Sequence, residues 1–219
     1  MEKKVSIEVL EKWLKGWSLS RELPLPAGYS TGFKVDVGAE KQKARYVFPE
    51  PDENFLQLAE FINESWVFLK VCASFDDFKH KIPEKWEVQP QGYMMSCFHR
   101  MNFPIHIGLP DGYQMKSESY NSTFVIKIIA GNGEQAAIGR VVIVDDIAVY
   151  DRILTEKDHQ RKGLATFLMK ELEKIALSKE ISRNFLVATE QGKFLYESLG
   201  WEVYSIYTSI VIPAVNSTF

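Results

Sequence analysis

Between residues 146 and 178 the apolar positions change from the spacing of a strand to the spacing of a helix. Ile147, Val149 and Ile153 lie in a β-rich run that has no helical period, which predicts a largely buried strand. The polar residues 156–158 end this run. From Leu164 onward, apolar side chains recur every three or four positions, so one face of a predicted helix packs against the core. This apolar face comprises Leu164, Phe167, Leu168, Leu172, Ile175 and Ala176.

The same reasoning predicts elements along the rest of the chain. Ser6 is the expected cap of a first helix, and Gly131-Asn132-Gly133 predicts a tight hairpin turn because these residues tolerate positive φ. The predicted helices cover 6–16, 55–62, 75–81 and 190–198. The predicted strands cover 33–37, 66–73, 86–88, 93–98, 123–130, 136–144 and 185–188, with two closing strands up to residue 212. This mixture predicts an α+β fold built on a mixed sheet.

A stretch rich in proline and glycine, from Arg100 to Gly112, is the best candidate for a domain boundary. It divides the chain into an N-terminal α/β lobe, residues 1–110, and a C-terminal domain, residues 111–219. We expect the N-terminal lobe to contribute the acceptor side of any site that the two units share.

Composition and charge exclude several classes of function. Hydrophobic residues make up 46% of the 219 residues and charged residues 25%, as in ordinary folded proteins. The net charge of −3 argues against nucleic-acid binding, and no apolar window is long enough to span a bilayer. Cys72 and Cys97 form no disulfide framework, and the histidines and cysteines lack metal-ligand spacing, so we expect no metal. A cytoplasmic location is expected, while the oligomeric state stays open, a homodimer being one alternative.

Residues 160–166 place a glycine and two cations where the predicted strand gives way to the helix. The first turn of a helix leaves backbone N–H groups without partners and carries partial positive charge. Gly163 has no Cβ, so an anion can approach these groups closely, and Arg161 and Lys162 add full charges. This arrangement favours a diphosphate ligand. The alternative explanation is the solvated basic start of a surface helix.

The order Gln160-x-x-Gly163-x-Ala165 resembles the acetyl-coenzyme A signature of the GCN5-related N-acetyltransferases, the GNAT family. A second segment is similar to motif B of that family and follows at the family's spacing. It comprises Ala188-Thr189, Gly192, Leu195-Tyr196 and Leu199-Gly200-Trp201. The two segments cover the C-terminal half of the chain. They are specific to the family and say almost nothing about its substrate.

The resemblance implies a GNAT-like acyl-coenzyme A N-acyltransferase fold and transfer of an acetyl group from acetyl-coenzyme A to a primary amine. The amine belongs to a small molecule or a protein N-terminus and attacks directly in a ternary complex. Cofactor-binding roles are implied for two sets of residues. The pyrophosphate set comprises Gln160, Arg161, Lys162, Gly163, Leu164, Ala165 and Thr166. The pantetheine set comprises Ile153, Leu154, Thr155, Gln191, Gly192 and Tyr196.

Two of these roles concern the chemistry. In the family, the strand that matches residues 153–155 separates from its neighbour, and its free backbone groups hold the pantetheine arm and the thioester carbonyl. A fixed donor there lowers the barrier, because negative charge grows on that oxygen during attack. Tyr196 matches a tyrosine that protonates the leaving thiolate as general acid. The alternative is a tyrosine that only anchors its short helix.

A general base is less clearly indicated. An ammonium substrate must lose a proton before its nitrogen attacks, so a carboxylate or a chain of waters is expected near the acceptor. Asp151, on the central strand, is the tentative base. Asp146 and Glu190 are further candidates, and each of the three carboxylates is also explained as an edge or surface group.

The two halves of the chain have a similar order of predicted elements. The order of elements in residues 66–95 recurs in residues 185–210, and a helix of similar length precedes each copy. The N-terminal half is therefore interpreted as a degenerate GNAT-like lobe in tandem with the C-terminal domain, chance similarity being the alternative. Residues 47–52 are acidic and lack a glycine-marked loop, so only the second copy is expected to bind cofactor. Residues 113–124 also lack the helical pair that the family usually carries.

Two other functions stay open at this point. One is a non-catalytic acyl-coenzyme A sensor or regulatory module, and the other is an acyltransferase that uses a longer acyl donor. Release of thiol that depends on an amine would distinguish the enzyme from the sensor.

Overall fold

The structure is a computed structural model that describes residues 5–214. The outer ends of the two predicted units, residues 1–4 and 215–219, lie outside the described residues. The α-helices of the described range are Ile7–Leu19 (α1), Glu53–Phe61 (α2), Leu164–Ser178 (α3) and Glu190–Ser198 (α4). Within that range, none of the helices combines the length and the apolar character that crossing a membrane requires.

The strands of the described range form one 12-stranded mixed sheet. They are Ala27–Tyr29 (β1), Gly32–Ala39 (β2), Gln42–Phe48 (β3), Val67–Val71 (β4), Glu87–Val88 (β5), Gly92–Cys97 (β6), Tyr113–Tyr120 (β7), Thr123–Ala130 (β8), Gln135–Val144 (β9), Ile147–Thr155 (β10), Asn184–Thr189 (β11) and Glu202–Val211 (β12). Their spatial order is β1-β2-β3-β4-β12-β6-β11-β10-β9-β8-β7, and β5 pairs with β12 beside this path. The α+β class with a mixed sheet is confirmed.

Strands from the two halves of the chain alternate in the middle of the sheet. β6, which precedes residue 110, is antiparallel to β11 on one side and to β12 on the other. β12, which ends the described chain, also pairs with β4 and β5 of the N-terminal half. Each half therefore extends the sheet of the other half, and the division at residue 110 stays a prediction.

Each half contains a parallel strand pair with a helix in the connection. β3 and β4 are parallel and joined through α2, while β10 and β11 are parallel and joined through α3. Antiparallel strands precede both pairs. This shared order supports the interpretation of the N-terminal half as a related lobe, which stays a prediction.

α1 and α3 pack on opposite faces of β9 and β10. Ile147 and Val149 belong to the hydrophobic cluster that contains α1, whereas Ala148 and Tyr150 belong to the cluster that contains α3. Successive side chains of a strand point to opposite faces, so a strand that is apolar at every position is covered on both sides. β10 therefore lies at the centre of the molecule, as its sequence predicts.

Three predictions about individual elements are wrong. Residues 75–81 form two single-turn 3₁₀ helices, since Asp77 and Ser74 close a capping box after one turn. The two closing strands are the single strand β12, which bulges between Val203 and Ser205 instead of ending. α1 continues past residue 16 to Leu19, because Trp17 is buried against the sheet.

Candidate functional site

β10 and β11 pair at their beginnings and then separate. Ala148 pairs with Asn184 and Val149 with Phe185, after which the register between the two strands ends. β10 stays paired with β9 but bulges between Asp151 and Leu154. A bulge bends its strand and increases the local twist, so β10 turns away from β11 here. The opening that is expected between these strands is present.

A cavity of about 230 Å³ occupies this opening. Four residues to which the sequence analysis gives a catalytic or cofactor-binding role line it, namely Asp151, Ile153, Gly192 and Tyr196. Leu154, Thr155 and Gln191 lie on the same elements but outside the cavity wall. The side-chain hydroxyl of Thr155 is buried and has no hydrogen-bond partner within residues 5–214.

The start of α3 is open to an anion. Gly163 is the N-cap residue with a left-handed backbone (φ +77°), and no side chain of the described chain caps this end. A Cβ at Gly163 would meet only Ile107 Cδ1, at 3.8 Å. Leu164 is buried, so its backbone alone can face a ligand. The residues at this corner therefore fit a phosphate-bearing cofactor through backbone N–H groups.

Side chains next to Gly163 fix the shape of this loop. Gln160 Nε2 donates to the carbonyl of Thr155 at 3.2 Å. Lys162 Nζ donates to the carbonyl of Asp158 at 3.1 Å and to the Tyr113 hydroxyl at 3.2 Å. These contacts hold the loop that presents the helix start, and Tyr113 is a contributor that the sequence analysis did not identify.

The corresponding helix start in the N-terminal half is closed by the protein itself. Asp52 is the N-cap of α2, and its carboxylate accepts a hydrogen bond from the backbone N–H of Phe55 at 3.0 Å. This carboxylate satisfies a donor that a phosphate would need and repels negative charge. The two helix starts therefore differ in the way that the acidic residues 47–52 predict.

Tyr196 projects from α4 into the wall of the opening. Its side chain is buried beside Trp201, with ring centroids 6.0 Å apart. Burial raises the pKa of Tyr196 well above its usual range, and the negative charge of Asp151 adds to the shift. The phenol therefore stays protonated at neutral pH and can act as a donor. A Cβ at Gly192 would lie 3.3 Å from the ring, so this glycine lets the tyrosine pack against its helix.

Asp151 is held by the end of α1. Its two carboxylate oxygens accept from Arg21 Nε and Nη2, both at 2.9 Å, and Ser20 Oγ also donates to it. The Asp151 side chain is 12% exposed, so solvent screens this bidentate pair only partly. Sequence reasoning missed Ser20 and Arg21, because nothing local connects them with a strand 130 residues away.

A second cavity of about 150 Å³ adjoins the first. Both cavities are lined by Arg21, Tyr150, Asp151 and Val187. The rest of the second wall comes from Val149, Trp13 and Trp17 of α1, Arg45 of β3, Lys70 of β4 and Tyr207 of β12. The N-terminal half therefore lines the site on the side away from the opening. The signal in the sequence is Lys70, a lysine inside the apolar run 66–73.

The other candidate bases lie outside both cavities. Asp146 pairs with Lys12 at 2.7 Å and also with Arg183, and the hydrogen bond from Lys12 holds its pKa below the usual range. Glu190 accepts a hydrogen bond from the Tyr93 hydroxyl. Both carboxylates have local partners at the surface, so Asp151 is the candidate that lies in the site.

Comparison with known proteins finds a family that is similar to part of the C-terminal half. Residues 120–203 match the family described as the acetyltransferase (GNAT) domain. The GNAT family uses acetyl-coenzyme A as co-substrate. No curated protein matches the chain.

Several solved structures resemble the whole chain at low sequence identity. One is a GCN5-related N-acetyltransferase from Kribbella flavida, with 12% identity, 97% of each chain covered and a TM-score of 0.64. Another is a functionally unknown conserved protein from Staphylococcus epidermidis, with 10% identity, 97% and 99% coverage and a TM-score of 0.61. A third is a tandem GNAT protein from the clavulanic acid biosynthesis pathway, with 11% identity, 85% and 80% coverage and a TM-score of 0.56. At these identities the likeness shows the fold.

Proposed function

From the match of residues 120–203 to the acetyltransferase (GNAT) domain family, we propose that the protein transfers an acetyl group from acetyl-coenzyme A to a primary amine. The amine belongs to a small molecule or a protein N-terminus and attacks directly in a ternary complex. The observation that carries the proposal is the opening between β10 and β11, with Tyr196 in its wall and the uncapped start of α3 after β10.

The proposed pyrophosphate site is formed mainly by backbone. The N–H groups of residues 163–166 would hold the phosphates, since the dipole of α3 and the absence of a capping side chain favour an anion there. Gln160 and Lys162 support the loop, and Arg161 adds charge. The backbone of Ile153, Leu154 and Thr155 would hold the pantetheine arm, together with Gln191 and Gly192 from α4.

The reaction forms a bond between the amine nitrogen and the acetyl carbon and breaks the bond between that carbon and sulfur. When bound, acetyl-coenzyme A supplies the acetyl thioester. The nitrogen must lose a proton, and the sulfur must gain one. Tyr196 is the proposed donor to sulfur, because its buried phenol is protonated and lies in the cavity wall.

Asp151 is the proposed base, because it is the acidic residue shared by both cavities. Its oxygens already accept hydrogen bonds from Ser20 and Arg21. An incoming ammonium group must therefore share or replace one of these donors before Asp151 can take a proton. The same contacts orient the carboxylate towards the cavities in the absence of substrate.

The test of the cofactor site is the substitution Gly163→Glu. The new side chain places negative charge and bulk at the helix start, and the left-handed backbone there is unfavourable for glutamate. We expect isothermal titration calorimetry to show loss of acetyl-coenzyme A binding.

The matched control is Gly133→Glu in the hairpin between β8 and β9. Gly133 also has positive φ (+87°) and open space around its Cβ position, so the backbone strain is comparable. This variant should bind acetyl-coenzyme A like the wild type. Equal affinity of the Gly163→Glu variant and the wild type would refute the cofactor site.

A second candidate function is a non-catalytic acyl-coenzyme A sensor. The observation that favours it is the ion pair between Asp151 and Arg21. Because the carboxylate of Asp151 is already paired, it is less available to take a proton from an amine. Thiol release measured with a panel of primary amines separates the two functions. Tight binding of acetyl-coenzyme A without any amine-dependent release would support the sensor.

A further inference from the structure

The second cavity concentrates positive charge inside the protein. Three cationic side chains line it, Arg21, Arg45 and Lys70, and one acidic residue, Asp151. Arg21 is paired with Asp151. Within residues 5–214, Arg45 and Lys70 form no ion pair with a carboxylate. The cavity wall therefore carries an excess of positive charge that the protein does not neutralise locally.

Arg45 is the more deeply buried of the two unpaired cations. It is 7% exposed, and its guanidinium carbon lies 3.4 Å from the centroid of the Trp17 ring. When the side-chain amide of Gln42 is oriented with its oxygen towards Arg45, this oxygen accepts hydrogen bonds from Arg45 Nη2 at 2.9 Å and from Nε at 3.1 Å. Burial lowers the pKa of Arg45 to about 10, so the side chain is still charged at pH 7.

Lys70 faces the same space from the neighbouring strand. Its ammonium donates to the hydroxyl of Ser209 at 2.7 Å and lies 5.8 Å from the Tyr207 ring centroid. The side chain keeps some accessible surface, as a cavity-lining group does, while the protein around its ammonium desolvates it. Desolvation, with the charges of Arg45 and Arg21, lowers the pKa of Lys70 well below its usual range. An anion in the cavity would remove this penalty.

One hydroxyl group in the wall is also unused. Tyr207 is 4% exposed, and its hydroxyl has no hydrogen-bond partner among the residues that the structure describes. Buried polar groups in proteins are nearly always paired, so an unpaired hydroxyl beside two unpaired cations in one cavity wall indicates a missing ligand. The cavity wall therefore offers cationic and hydroxyl donors, and Asp151 is the charged acceptor among its lining residues.

We propose that the second cavity binds the carboxylate of the acceptor, so that the preferred substrate is a small amine that also carries a carboxylate, an amino acid. The carboxylate would lie between Arg45, Lys70 and Tyr207, which leaves the amino group next to Asp151 at the junction of the cavities. This inference rests on the proposed acetyltransferase function for the role of the amine, but not for the binding of the anion.

The size of the cavity limits the ligand. A cavity of roughly 150 Å³ accommodates a molecule about as large as benzene, which matches the smallest amino acids. Guanidinium and hydroxyl donors suit the planar carboxylate group. Phosphate presents the same kind of oxygen, so inorganic phosphate serves as a competing probe.

The substrate test compares glycine with glycinamide in a thiol-release assay. The two amines differ in one group, a carboxylate against a neutral amide, and glycinamide has the larger unprotonated fraction at neutral pH. We expect kcat/KM for glycine to exceed that for glycinamide by about 10- to 100-fold, the range for hydrogen bonds to a charged group. Equal or better use of glycinamide by an active enzyme would overturn the inference and leave the proposed function intact.

The binding test needs no turnover. Acetate and acetamide are titrated into the full-length protein by calorimetry, with Lys70→Met as the variant and Lys43→Met as the control. Lys43 lies on β3 and pairs with Glu64 at the surface, away from the cavity. We expect acetate to bind the wild type and the control more tightly than acetamide, and Lys70→Met to lose about tenfold in affinity for acetate.

Thermal unfolding of the same proteins gives a second measurement of acetate binding. If Lys70 is an uncompensated buried cation, Lys70→Met raises the Tm of the ligand-free protein, and acetate raises the Tm of the wild type more than that of the variant. Absence of any acetate effect, or a larger effect of phosphate, would overturn the inference. Acetate binding in a protein that acetylates no amine would instead retain the anion site and refute the proposed function.

Discussion

Tyr196 and Asp151 face the same opening but are given opposite properties by their neighbours. Tyr196 is surrounded by apolar and aromatic side chains, so its proton is retained, whereas Asp151 accepts hydrogen bonds from Arg21 and Ser20. A protonated donor to the sulfur and an acceptor for the amine proton are what acyl transfer to an amine requires. At the scale of single residues, the environment therefore assigns the proposed roles more clearly than residue type does.

Replacing Tyr196 by phenylalanine tests the proposed acid. We expect kcat to fall by about 100-fold or more, with little change in KM, because the hydroxyl acts on the leaving sulfur and not in binding. Tyr46→Phe, on β3 and outside both cavities, is the control and should retain wild-type kcat. If the wild type, Tyr196→Phe and Tyr46→Phe proteins have similar kcat values, Tyr196 has a purely structural role.

The raised pKa of Tyr196 also predicts a pH dependence. The acid works only while protonated, so its contribution is full below its pKa and is lost as pH rises through that value. Because burial raises the pKa above the usual value of about 10, kcat should show no alkaline decline from this group below about pH 10. Measurement of kcat from pH 7 to 10 checks this, and a decline centred near pH 8 would contradict it.

At the scale of elements, α1 positions the proposed acceptor side of the candidate site. Its residues Trp13 and Trp17 line the second cavity, and Ser20 and Arg21 at its end hold Asp151. Gly16 lets the helix approach the central strand, since a Cβ at that position would lie 2.6 Å from Val149 Cγ2. The close contact between helix and strand therefore determines where the carboxylate of Asp151 lies.

Replacing Gly16 by alanine should loosen this contact. The expected loss is about 1–3 kcal/mol in the free energy of unfolding, although alanine favours helix by up to about 1 kcal/mol. We also expect kcat/KM to fall, because α1 shifts away from Asp151. Calorimetric unfolding and the thiol-release assay provide the two measurements.

The control is Gly28→Ala on β1, where a Cβ would meet nothing within 4 Å. This change should leave both stability and activity close to wild type. A Gly16→Ala protein that is as stable and as active as the control would show that α1 tolerates a wider spacing from β10.

At the scale of the whole molecule, the exchange of β6 and β12 makes the two halves depend on each other. β6 lies between β11 and β12, so the C-terminal domain has a gap in its sheet without the N-terminal lobe. The second cavity also takes its cations from the N-terminal lobe and Asp151 from the C-terminal domain. The predicted units therefore share both a sheet and a site.

Expression of residues 111–219 alone tests this dependence. Without β6, two strands expose unpaired backbone groups, so we expect no cooperative thermal unfolding of the fragment. Adding residues 1–110 should restore a transition and the binding of acetyl-coenzyme A. A fragment that unfolds cooperatively and binds the cofactor alone would establish 111–219 as an independent domain.

Local order along the chain was sufficient to predict the parts of the site that are close in sequence. The strand at β10, the glycine at the start of α3 and the helix that carries Tyr196 each depend on side-chain periodicity and capping within a few residues. The acidic character of residues 47–52 likewise predicts that the helix start in the N-terminal half repels phosphate, and the structure adds that Asp52 caps this helix. These features needed no knowledge of what lies across the sheet.

Only the tertiary structure brought Arg21 to Asp151 and placed Arg45 and Lys70 around a common cavity. These residues come from α1, β3, β4 and β10, and their meeting depends on the order of strands in the sheet and on the contact between Gly16 and Val149. The order of strands minimises the free energy of burying all the apolar faces together. This free energy is a sum over contacts between residues that are far apart in sequence, so no local sequence pattern predicts it. The residues of the proposed cofactor side can therefore be predicted from the chain itself, whereas the proposed acceptor side forms only once the two halves have packed.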